Sequence, residues 1–506
     1  MNPNKKQKVS HKLGDVVWRE LGVQLNKKHQ ASDWGGELSP PMLFYAAEDS
    51  RILLHLVDAL GPKIREADLH KVADIECRAL PAITWMANSG VPFDSEGWRN
   101  CLDDKEAALG RLRVNLDELA PDPPGSEGWN WNSPKQVIEA FRLQGVKLSD
   151  TKGETLSRYE HPLAKTLLEY RKTSKLVGTY GPNLLKFVED GRIYGSWWQN
   201  GAGTGRMASS SPNLQNLPPE VRRYVKAPAG RVLVVADYSQ IELRIAAKIS
   251  GDKRMLAAFV NDEDIHAITA RSLTGHEEVT KQERKLAKAV NFGLLYGMSP
   301  GGLRNYARAS YGVEMTKEEA ERYWQHFFQT YLGLRAWHDR EYRQLKKHGS
   351  TETRTLTGRR RTGVTKLTQR LNSPVQGTGA DGLKLGLALL YERRGECPGA
   401  VPILAVHDEV VVECREEQAE QVAIFTEEIM VAGMEEVLNA GLDTDHLERV
   451  PVKVDVEVVN RWARDSKSTE YPRGRSAQDP TPALAVRLPR CLFDSLPRRR
   501  ARAQAG

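Results

Sequence analysis

The sequence predicts an α+β protein with more than one domain. The chain has 506 residues, which is too long for a single ordinary domain. Residues 12–193 and 241–342 have mostly helical spacing of apolar residues, whereas β-branched runs occur at 231–237 and 402–414. Long helical blocks with a few separate strands are typical of the α+β class.

Composition excludes several classes of protein. Apolar residues make up 40% of the chain and charged residues 27%, which is typical of a globular protein. No apolar run approaches the roughly 20 residues that a membrane span needs, and the basic N-terminus lacks the apolar stretch of a secretory signal. A soluble, cytoplasmic protein is therefore expected. The five cysteines are far apart and include no CxxC pair, so neither disulfides nor a zinc site is predicted.

Positive charge is concentrated at the C-terminus. Residues 466–506 hold nine Lys or Arg and three Asp or Glu, and so account for +6 of the formal net charge of +7. This segment also contains five prolines and little apolar periodicity, which predicts a disordered basic tail. Since residues 1–465 carry only +1, net charge alone does not indicate binding to nucleic acid.

The segment VLVVADYSQIELRIAA predicts a buried strand that ends at Asp237 and a helix that begins at Ile241. A carboxylate at the end of a buried strand is held rigidly and points into a cleft. The alternative is a structural N-cap at a strand-to-helix junction. For this segment alone, the two interpretations carry about equal weight.

The segment PILAVHDEVVVEC predicts a β-hairpin with Asp408 and Glu409 at its tip. The turn contains His407 and lacks the favoured Asn-Gly chemistry, which suggests that function rather than turn propensity selects these residues. For a single hairpin, a solvent-exposed polar turn would be the commoner interpretation.

Taken together, the two segments predict that Asp237 and Asp408 converge at the edge of one sheet. Oxygen ligands without His or Cys partners favour Mg²⁺, which binds few carboxylates and completes its coordination with substrate phosphates. Two such ions about 4 Å apart can bind the attacking and leaving oxygens of a phosphoryl transfer. The acidic pair therefore indicates phosphoryl-transfer chemistry.

A helical segment, RKLAKAVNFGLLYG, spaces two cations and two aromatic residues four positions apart: Arg284, Lys288, Phe292 and Tyr296. On a helix these side chains share one broad face, with the cations at one end and the aromatics at the other. A nucleoside triphosphate has the same polarity. The alternative is an amphipathic helix with its aromatics in the core, but that does not explain why the cations share their face.

The polar loop TGRMASSSPNLQNLP, residues 204–218, contains an arginine and several amide side chains. Such side chains suit contacts with phosphates and with the edges of bases. The signal is weak by itself, because loops rich in Ser, Pro and Asn are common.

In this order, the segments resemble the polymerase motifs of family A DNA polymerases, the bacterial DNA polymerase I and phage type. DYSQIELR is similar to motif A, RKLAKAVNFGLLYG to motif B and VHDE to motif C. TGRMASSSPNLQNLP, EDIHAITA, TLTGRRR and NSPVQGTGAD also stand where the family has comparable segments. The resemblance covers residues 9–465 and implies template-directed addition of deoxynucleotides to a primer.

The resemblance assigns a role to each matching residue. For catalysis it implies Asp237, Asp408, Glu409 and Lys288; for two Mg²⁺ ions, Asp237, Asp408 and the carbonyl of Tyr238; for the nucleotide, Arg284, Lys288, Phe292, Tyr296, His266, Glu242 and Gln240; for DNA, Arg206, Asn213, Gln215, Asn216, Asn372, Gln376 and His407. Lys288 is also the expected proton donor to pyrophosphate. Glu242 would lie under the sugar and exclude a 2′-hydroxyl.

Two positions depart from the family pattern. The family commonly has an arginine four residues before the position of Asn372, where this chain has Thr368, with Arg370 nearby. After TLTGRRR, the usual hydrophobic-Pro continuation is replaced by TGVTKL. The first departure puts in doubt whether the arginine contact is made.

The segment QASDWGGELSPPMLFYAAEDSRILLHL resembles the last part of the family's 3′–5′ exonuclease domain. Tyr45 and Asp49 match its Y-x3-D motif, but no Asp-x-Glu precedes Tyr45. The expectation is a truncated exonuclease segment without proofreading in this chain. Its origin would be either a split gene, with a separate polypeptide supplying the rest, or a start at an internal methionine.

A right-hand architecture follows from the resemblance: a palm with an antiparallel sheet, helical fingers and a helical thumb, preceded by the partial exonuclease-like segment. The expected boundaries are 1–75 for that segment, 76–195 for the thumb, 196–245 and 372–465 for the palm, 246–371 for the fingers and 466–506 for the tail.

Two other functions compete with this one. A single-subunit RNA polymerase would use the same chemistry, but Glu242 resembles the sugar gate of the DNA enzymes. A non-catalytic DNA-binding remnant would have no chemical reason to keep Asp237, Asp408, Lys288 and Tyr296 together. The expected partners are primer–template DNA and deoxynucleoside triphosphates, without a membrane. A monomer is expected, with a separate exonuclease polypeptide or a processivity factor as a further possible partner.

Overall fold

The computed structural model describes residues 10–123, 128–439, 449–463 and 469–470. The described residues divide into two compact units, one of residues 10–77 and one of the residues from 78 onward. Within the described residues, the helices are α1 (Leu13–Leu21), α2 (Pro40–Glu66), α3 (His70–Ser89), α4 (Ser95–Leu119), α5 (Pro134–Leu143), α6 (Gly153–Leu156), α7 (Pro162–Tyr180), α8 (Pro182–Leu185), α9 (Pro219–Arg222), α10 (Ile241–Ser250), α11 (Lys253–Val260), α12 (Ile265–Thr274), α13 (Lys281–Leu295), α14 (Pro300–Tyr311), α15 (Lys317–Thr330), α16 (Leu332–His348), α17 (Leu367–Glu392) and α18 (Ala419–Asn439).

The strands form one large sheet and three small ones. They are β1 (Val91–Pro92), β2 (Val188–Glu189), β3 (Arg192–Ile193), β4 (Ser196–Trp198), β5 (Ala208–Ser210), β6 (Arg231–Tyr238), β7 (Thr351–Arg354), β8 (Arg360–Val364), β9 (Val401–Val406), β10 (Glu409–Arg415), β11 (Val454–Val459) and β12 (Thr469–Glu470). The large sheet has the order β12-β11-β6-β10-β9, and every neighbouring pair in it is antiparallel. The predicted α+β class and antiparallel palm sheet are confirmed.

In the first unit, α2 packs against α1 through a small apolar cluster that contains Val17, Ile52 and Leu56. The predicted helix over this part of the sequence is confirmed. Both oxygens of the Asp49 carboxylate accept hydrogen bonds from Nζ of Lys27, at 2.8 and 2.9 Å. The same ammonium lies 5.4 Å from the centre of the Tyr45 ring.

The large sheet of the second unit is covered on both faces. Alternate residues along a strand point to opposite faces, so Val234 and Ala236 of β6 pack into the core that includes α17 and α18. On the other face, Leu233 packs with residues of β9 and β10 and with Trp462. Close approach of α17 to α18 requires glycine, since a Cβ at Gly433 would lie 2.5 Å from a backbone nitrogen of α17. The sheet is therefore a rigid support for residues at its ends.

Two features were not expected from the sequence. Residues 351–364, in the segment expected to form helical fingers, contain the β7–β8 hairpin. The prediction of disorder from residue 466 is wrong for Thr469 and Glu470, which pair with β11 because that strand offers an unpaired edge. The rest of the predicted tail lies outside the described residues. The expected boundaries at 245/246 and 371/372 fall inside α10 and α17.

Candidate active site

The ends of two paired strands form the centre of the site. Asp237 is the penultimate residue of β6 and lies directly opposite Glu409, the first residue of β10. The backbone N–H of Tyr238 donates to the carbonyl oxygen of Asp408 at 3.2 Å. The antiparallel pairing of β9 with β10 confirms the predicted hairpin, and the pairing of β10 with β6 brings the backbones of Asp237 and Asp408 to neighbouring positions at one end of the sheet.

The turn of this hairpin depends on the backbone conformation of His407. Its φ is +58°, in the left-handed region that two-residue hairpin turns need and that Asn-Gly sequences usually supply. Histidine is one of the non-glycine residues that adopt this region more often than most. The turn thus forms without the expected turn residues, and it places Asp408 immediately before β10.

Glu409 is held by a residue that the sequence did not reveal. Nε1 of Trp462 donates a hydrogen bond to Oε1 of Glu409 at 2.7 Å. The indole is buried, and the guanidinium of Arg222 lies 4.3 Å from its ring centre. Another acidic residue, Asp455 of β11, lies opposite Asp237 on the side away from β10. The row of acidic residues across the three strands is visible only once the register is known.

Glu242 connects the palm sheet to α13. It lies in the first turn of α10, which follows β6 after a left-handed residue, Gln240, with φ +55°. Its Oε1 accepts from Nη2 of Arg206 at 2.7 Å, and its Oε2 accepts from the hydroxyl of Tyr296 at 2.5 Å. Both partners were predicted as site residues, but the contacts between the three side chains were not.

Helix α13 carries the predicted cationic and aromatic face. A capping box of Thr280 and Glu283 begins the helix, which satisfies two backbone N–H groups. Arg284 and Lys288 are exposed, and Phe292 is half-buried. Tyr296 is the residue that ends the helix, and burial together with the neighbouring Glu242 raises the pKa of its hydroxyl. The phenol is therefore a neutral hydrogen-bond donor near pH 7.

Arg284 is paired with an acidic residue at the start of α12. Its Nε donates to Oδ2 of Asp264 at 2.6 Å. Burial opposes ionisation of this carboxyl, but the hydrogen bonds from Arg284 and from the backbone N–H of His266 outweigh it and lower the pKa of Asp264. The pair joins the N-terminal parts of α12 and α13 close to His266.

His266 ends a chain of buried hydrogen bonds. Its Nδ1 lies 2.8 Å from Nδ2 of Asn291, whose Oδ1 accepts from the hydroxyl of Thr269 at 2.9 Å. That hydroxyl also lies 2.7 Å from the phenol of Tyr331. Burial lowers the pKa of His266 to about 4, although Asp264 acts in the opposite direction. The imidazole is thus neutral, and an amide donor at Nδ1 leaves the ring proton on Nε2.

Five further residues were predicted to contact DNA. Asn213 begins the 3₁₀ helix of residues 214–216 by accepting from the N–H of Gln215, and Gln215 donates to the carbonyl of Ala405 at 3.1 Å. The backbone carbonyl of Asn216 accepts from the hydroxyl of Tyr180. The remaining two, Asn372 and Gln376, lie one turn apart on α17.

A small pocket lies between these elements. It is lined by Arg206, Met207, Gln215, Ala380, Leu383 and His407. The structure thus brings three predicted DNA contacts, Arg206, Gln215 and His407, to one surface. Arg370 is the arginine nearest to Thr368, the position where the family commonly has an arginine. It donates hydrogen bonds within the protein, to the carbonyl of Glu352 at 3.0 Å and to the hydroxyl of Thr351.

The oxygen atoms at the strand ends fit a hard divalent cation. Among the described residues, no group of three or more His, Cys, Asp or Glu side chains is arranged to hold a metal ion. The carboxylates of Asp237 and Asp408 and the backbone carbonyl of Tyr238 would form a small set of ligands. Such a set suits Mg²⁺, which takes its remaining ligands from water and substrate phosphates. The residues present therefore fit this ion and do not fit zinc.

Carboxylates lie at the ends of the strands, and Glu242 and Tyr296 connect this region to a helix that carries cations and aromatic residues. This arrangement defines a nucleotidyltransferase of the polymerase class. Residues 102–464 match the sequence profile of DNA polymerase family A, and residues 3–65 match that of a 3′-5′ exonuclease. The chain belongs to DNA polymerase family A and is a DNA-directed DNA polymerase. Membership of this family indicates the use of a divalent metal.

Individual relatives agree with this assignment. The DNA polymerase I of Aquifex aeolicus is 35% identical over 487 residues, which cover 90% of this chain and 82% of that protein. The DNA polymerase I of Pseudomonas aeruginosa is 35% identical and the thermostable DNA polymerase I of Thermus aquaticus 32% identical; this chain spans 47% and 50% of their lengths.

Among solved structures, the chain is similar to the POL domain of Pol1 from M. smegmatis in complex with DNA primer-template and dNTP. The TM-score is 0.73 at 25% identity, and the match covers 90% of this chain and 79% of that chain. In the described part of this chain, no helix is both long enough and apolar enough to cross a membrane.

Proposed function

We propose that the chain extends a DNA primer by two-metal-ion nucleotidyl transfer at the ends of β6 and β10. The observation that supports this most directly is the pairing of Asp237 with Glu409, which puts the Asp408 backbone beside it. The carboxylates of Asp237 and Asp408, with the carbonyl of Tyr238, would hold two Mg²⁺ ions. When bound, Mg²⁺ stabilises charge on the attacking and leaving oxygens.

In the reaction, the primer 3′-oxygen loses its proton to water and bonds to the α-phosphorus of the incoming nucleotide. The bond from that phosphorus to the bridging oxygen breaks, and pyrophosphate leaves. Lys288 gives a proton to the pyrophosphate. Its exposure on α13 supports this role, because an exposed ammonium can reach a substrate and recover its proton from solvent.

Nucleotide binding is assigned to the face of α13 and to α12. Arg284 and Lys288 contact the triphosphate, and neutral His266 donates from Nε2 to a phosphate oxygen. Phe292 packs on the sugar, and Tyr296 packs on the base. Glu242 lies under the sugar, with Gln240 beside it. The hydrogen bonds from Tyr296 and Arg206 to Glu242 support this, since they hold the carboxylate in one place.

DNA binding is assigned to the surface around the pocket. Arg206 reaches the minor groove of the primer–template, where N3 of purines and O2 of pyrimidines are acceptors in every base pair. His407 and Glu409 support the primer terminus. The other contacts are Asn213, Gln215, Asn216, Asn372 and Gln376. Primer–template DNA and a deoxynucleoside triphosphate are bound by the M. smegmatis relative, which supports the same partners here.

The hand-like division is part of the same proposal. Residues 76–195 form the thumb, residues 196–245 and 372–465 the palm, and residues 246–371 the fingers. The large antiparallel sheet lies within the palm ranges, apart from β12. Helices α4 and α7, which contribute to a separate apolar cluster, lie within the thumb range.

Primer extension by charge-neutralised variants tests the proposal. Asp237→Asn and Asp408→Asn should each lower extension in Mg²⁺ by a thousandfold or more, on the order expected when a group that stabilises transition-state charge is removed, while DNA affinity is retained. Asp339→Asn, at an exposed position of α16, is the matched control. Near-normal turnover by either strand variant would refute the assignment of the metal ligands.

A further inference from the structure

A buried lysine lies behind the loop that carries Arg206. Lys384 is in the middle of α17 and is fully buried. Its Nζ donates to the backbone carbonyl of Gly205 at 2.8 Å and to Oδ1 of Asn200 at 3.1 Å. Burying an ammonium is costly unless hydrogen bonds and opposite charge surround it. A fully buried lysine on a helix is therefore expected to have a specific role.

One turn earlier on the same helix, a buried acidic residue forms an ion pair with a second cation. Asp381 is also fully buried, and its Oδ1 accepts from Nε and Nη2 of Arg359 at 2.7 and 2.6 Å. Its Oδ2 accepts from the hydroxyls of Thr355 and Thr357. Arg359 closes the network, because its Nη1 donates to Oδ1 of Asn200 at 2.8 Å.

The backbone at Thr204 and Gly205 is closely packed on two sides. The backbone of Gly205 has a φ of +91°, and a Cβ there would lie 2.5 Å from Cδ of Arg359. On the side of α17, a Cβ at Gly377 would lie 2.7 Å from the carbonyl oxygen of Thr204. Thr204 and Gly205 thus lie between Arg359 on one side and α17 on the other.

The next residue along the chain is Arg206. Its backbone carbonyl accepts from the N–H of Ala202 at 3.1 Å, so the residues fixed by the network and the arginine share one tight turn. Its guanidinium reaches Glu242. The position of the Arg206 backbone is therefore constrained by groups on α17 and by Arg359, which precedes β8.

We propose that Lys384, Asp381, Arg359 and Asn200 form a positioning clamp for Arg206. The clamp touches neither the nucleotide nor the reacting atoms. It holds the backbone from which Arg206 reaches the minor groove of the primer terminus, and so determines how strongly the enzyme responds to the base pair there. This inference rests on the proposed minor-groove role of Arg206.

The test uses a DNA primer that ends in 3-deaza-2′-deoxyguanosine, which lacks the minor-groove acceptor N3. The wild-type enzyme should extend this primer at least about tenfold more slowly than the normal primer, as expected for a lost hydrogen bond to a charged group. Arg206→Ala should show almost no difference between the two primers. Lys384→Met keeps the length of the side chain but removes the donor. Its difference in extension rate between the two primers should fall most of the way to the small difference shown by Arg206→Ala.

A double variant separates positioning from general damage. The double variant Lys384→Met with Arg206→Ala should show the same small difference between the two primers as Arg206→Ala alone, and it should extend them no more slowly. The reason is that a clamp acts only through Arg206. Lys317→Met, at an exposed position of α15, should behave as wild type. If Lys384→Met does not fold, Asn200→Ala, which alters an exposed residue, replaces it with the same expectation.

The outcomes distinguish the clamp from the function it rests on. If Arg206→Ala keeps the wild-type difference between the primers, the minor-groove role is wrong and the clamp proposal is overturned with it. If Arg206→Ala loses the difference but the clamp variants keep it, or if their losses multiply in the double variant, the minor-groove role stands and the clamp is refuted.

Discussion

The hydroxyl of Tyr296 donates a hydrogen bond of 2.5 Å to Oε2 of Glu242. Tyr296 is the C-terminal cap of α13 and Glu242 lies in the first turn of α10, so this bond joins the helix of the cationic face to the helix that follows the strand of Asp237. Since Arg206 binds the other carboxylate oxygen, Glu242 is held at both oxygens. A carboxylate fixed in this way can act as a steric barrier.

Replacement of Glu242 by alanine should admit ribonucleotides. The smaller side chain removes the clash with a 2′-hydroxyl, which is a repulsive contact against the wrong sugar. The ratio of ribonucleotide to deoxynucleotide incorporation should rise at least about a hundredfold, equivalent to roughly 3 kcal/mol. Glu321→Ala, on the exposed part of α15, is the control. An unchanged ratio would show that another residue selects the sugar.

Asn291 should matter for nucleotide affinity although it lies in the core. Its amide donates to Nδ1 of His266 and so holds the ring with its proton on Nε2. Asn291→Leu removes that donor and should raise KM for the nucleotide roughly tenfold, as for one lost charge-assisted hydrogen bond, with a smaller effect on kcat. The control is Asn305→Ala, at an exposed position of α14. A fall in kcat at constant KM would contradict the assignment.

His338 should make the protein less stable in mild acid. Burial lowers its pKa to about 4, and its Nε2 donates to the carbonyl of Leu295. The unfolded chain takes up a proton below about pH 6.5, whereas the folded chain does so only near pH 4. The resulting stability is therefore full above pH 6.5 and is lost as the pH falls, by roughly 2 kcal/mol between pH 7 and pH 5.

Urea titrations at the two pH values measure this loss. His338→Gln keeps a donor for the carbonyl of Leu295 but cannot be protonated. Between pH 7 and pH 5, its free energy of unfolding should therefore fall by roughly 2 kcal/mol less than that of the wild type. His348→Gln, at the exposed end of α16, should keep the wild-type pH dependence. If His338→Gln loses as much stability as wild type, this histidine is not neutral in the folded protein.

The purified chain should leave a mismatched primer intact. Asp49, the acidic residue of the exonuclease-like motif, has both carboxylate oxygens bound by Lys27. A two-metal nuclease site needs several carboxylates, and the described residues contain no such cluster. Primer shortening is measured for the wild type and for Asp49→Ala, and neither should show it. Metal-dependent shortening that Asp49→Ala abolishes would refute this expectation.

Local patterns were enough to predict the strand ends and the helix face of the site. Asp237 and Asp408 each follow an apolar run, and the four residues of α13 recur at helical spacing, so short segments carry the signal. Trp462 could not be found this way, because its contact with Glu409 spans 53 positions of sequence. Pairings of that kind depend on the register of the sheet and the packing of helices.

Buried polar groups were missed for a related reason. Asn291, Thr269, Lys384 and Asp381 look like ordinary polar positions of helices, and only the fold shows that they are buried and hydrogen-bonded to residues distant in sequence. The β7–β8 hairpin was also missed. Its strands are rich in arginine and threonine, and they lack the apolar alternation that predicts a strand.

The central position of β6 has a consequence for heat inactivation. Hydrogen bonds to β10 and β11 flank this strand on both sides, so Asp237 cannot shift without melting the sheet. A slip of one residue would turn its side chain to the opposite face. Loss of activity on warming should therefore coincide with cooperative unfolding of the second unit, and no inactive but folded species should accumulate before the transition.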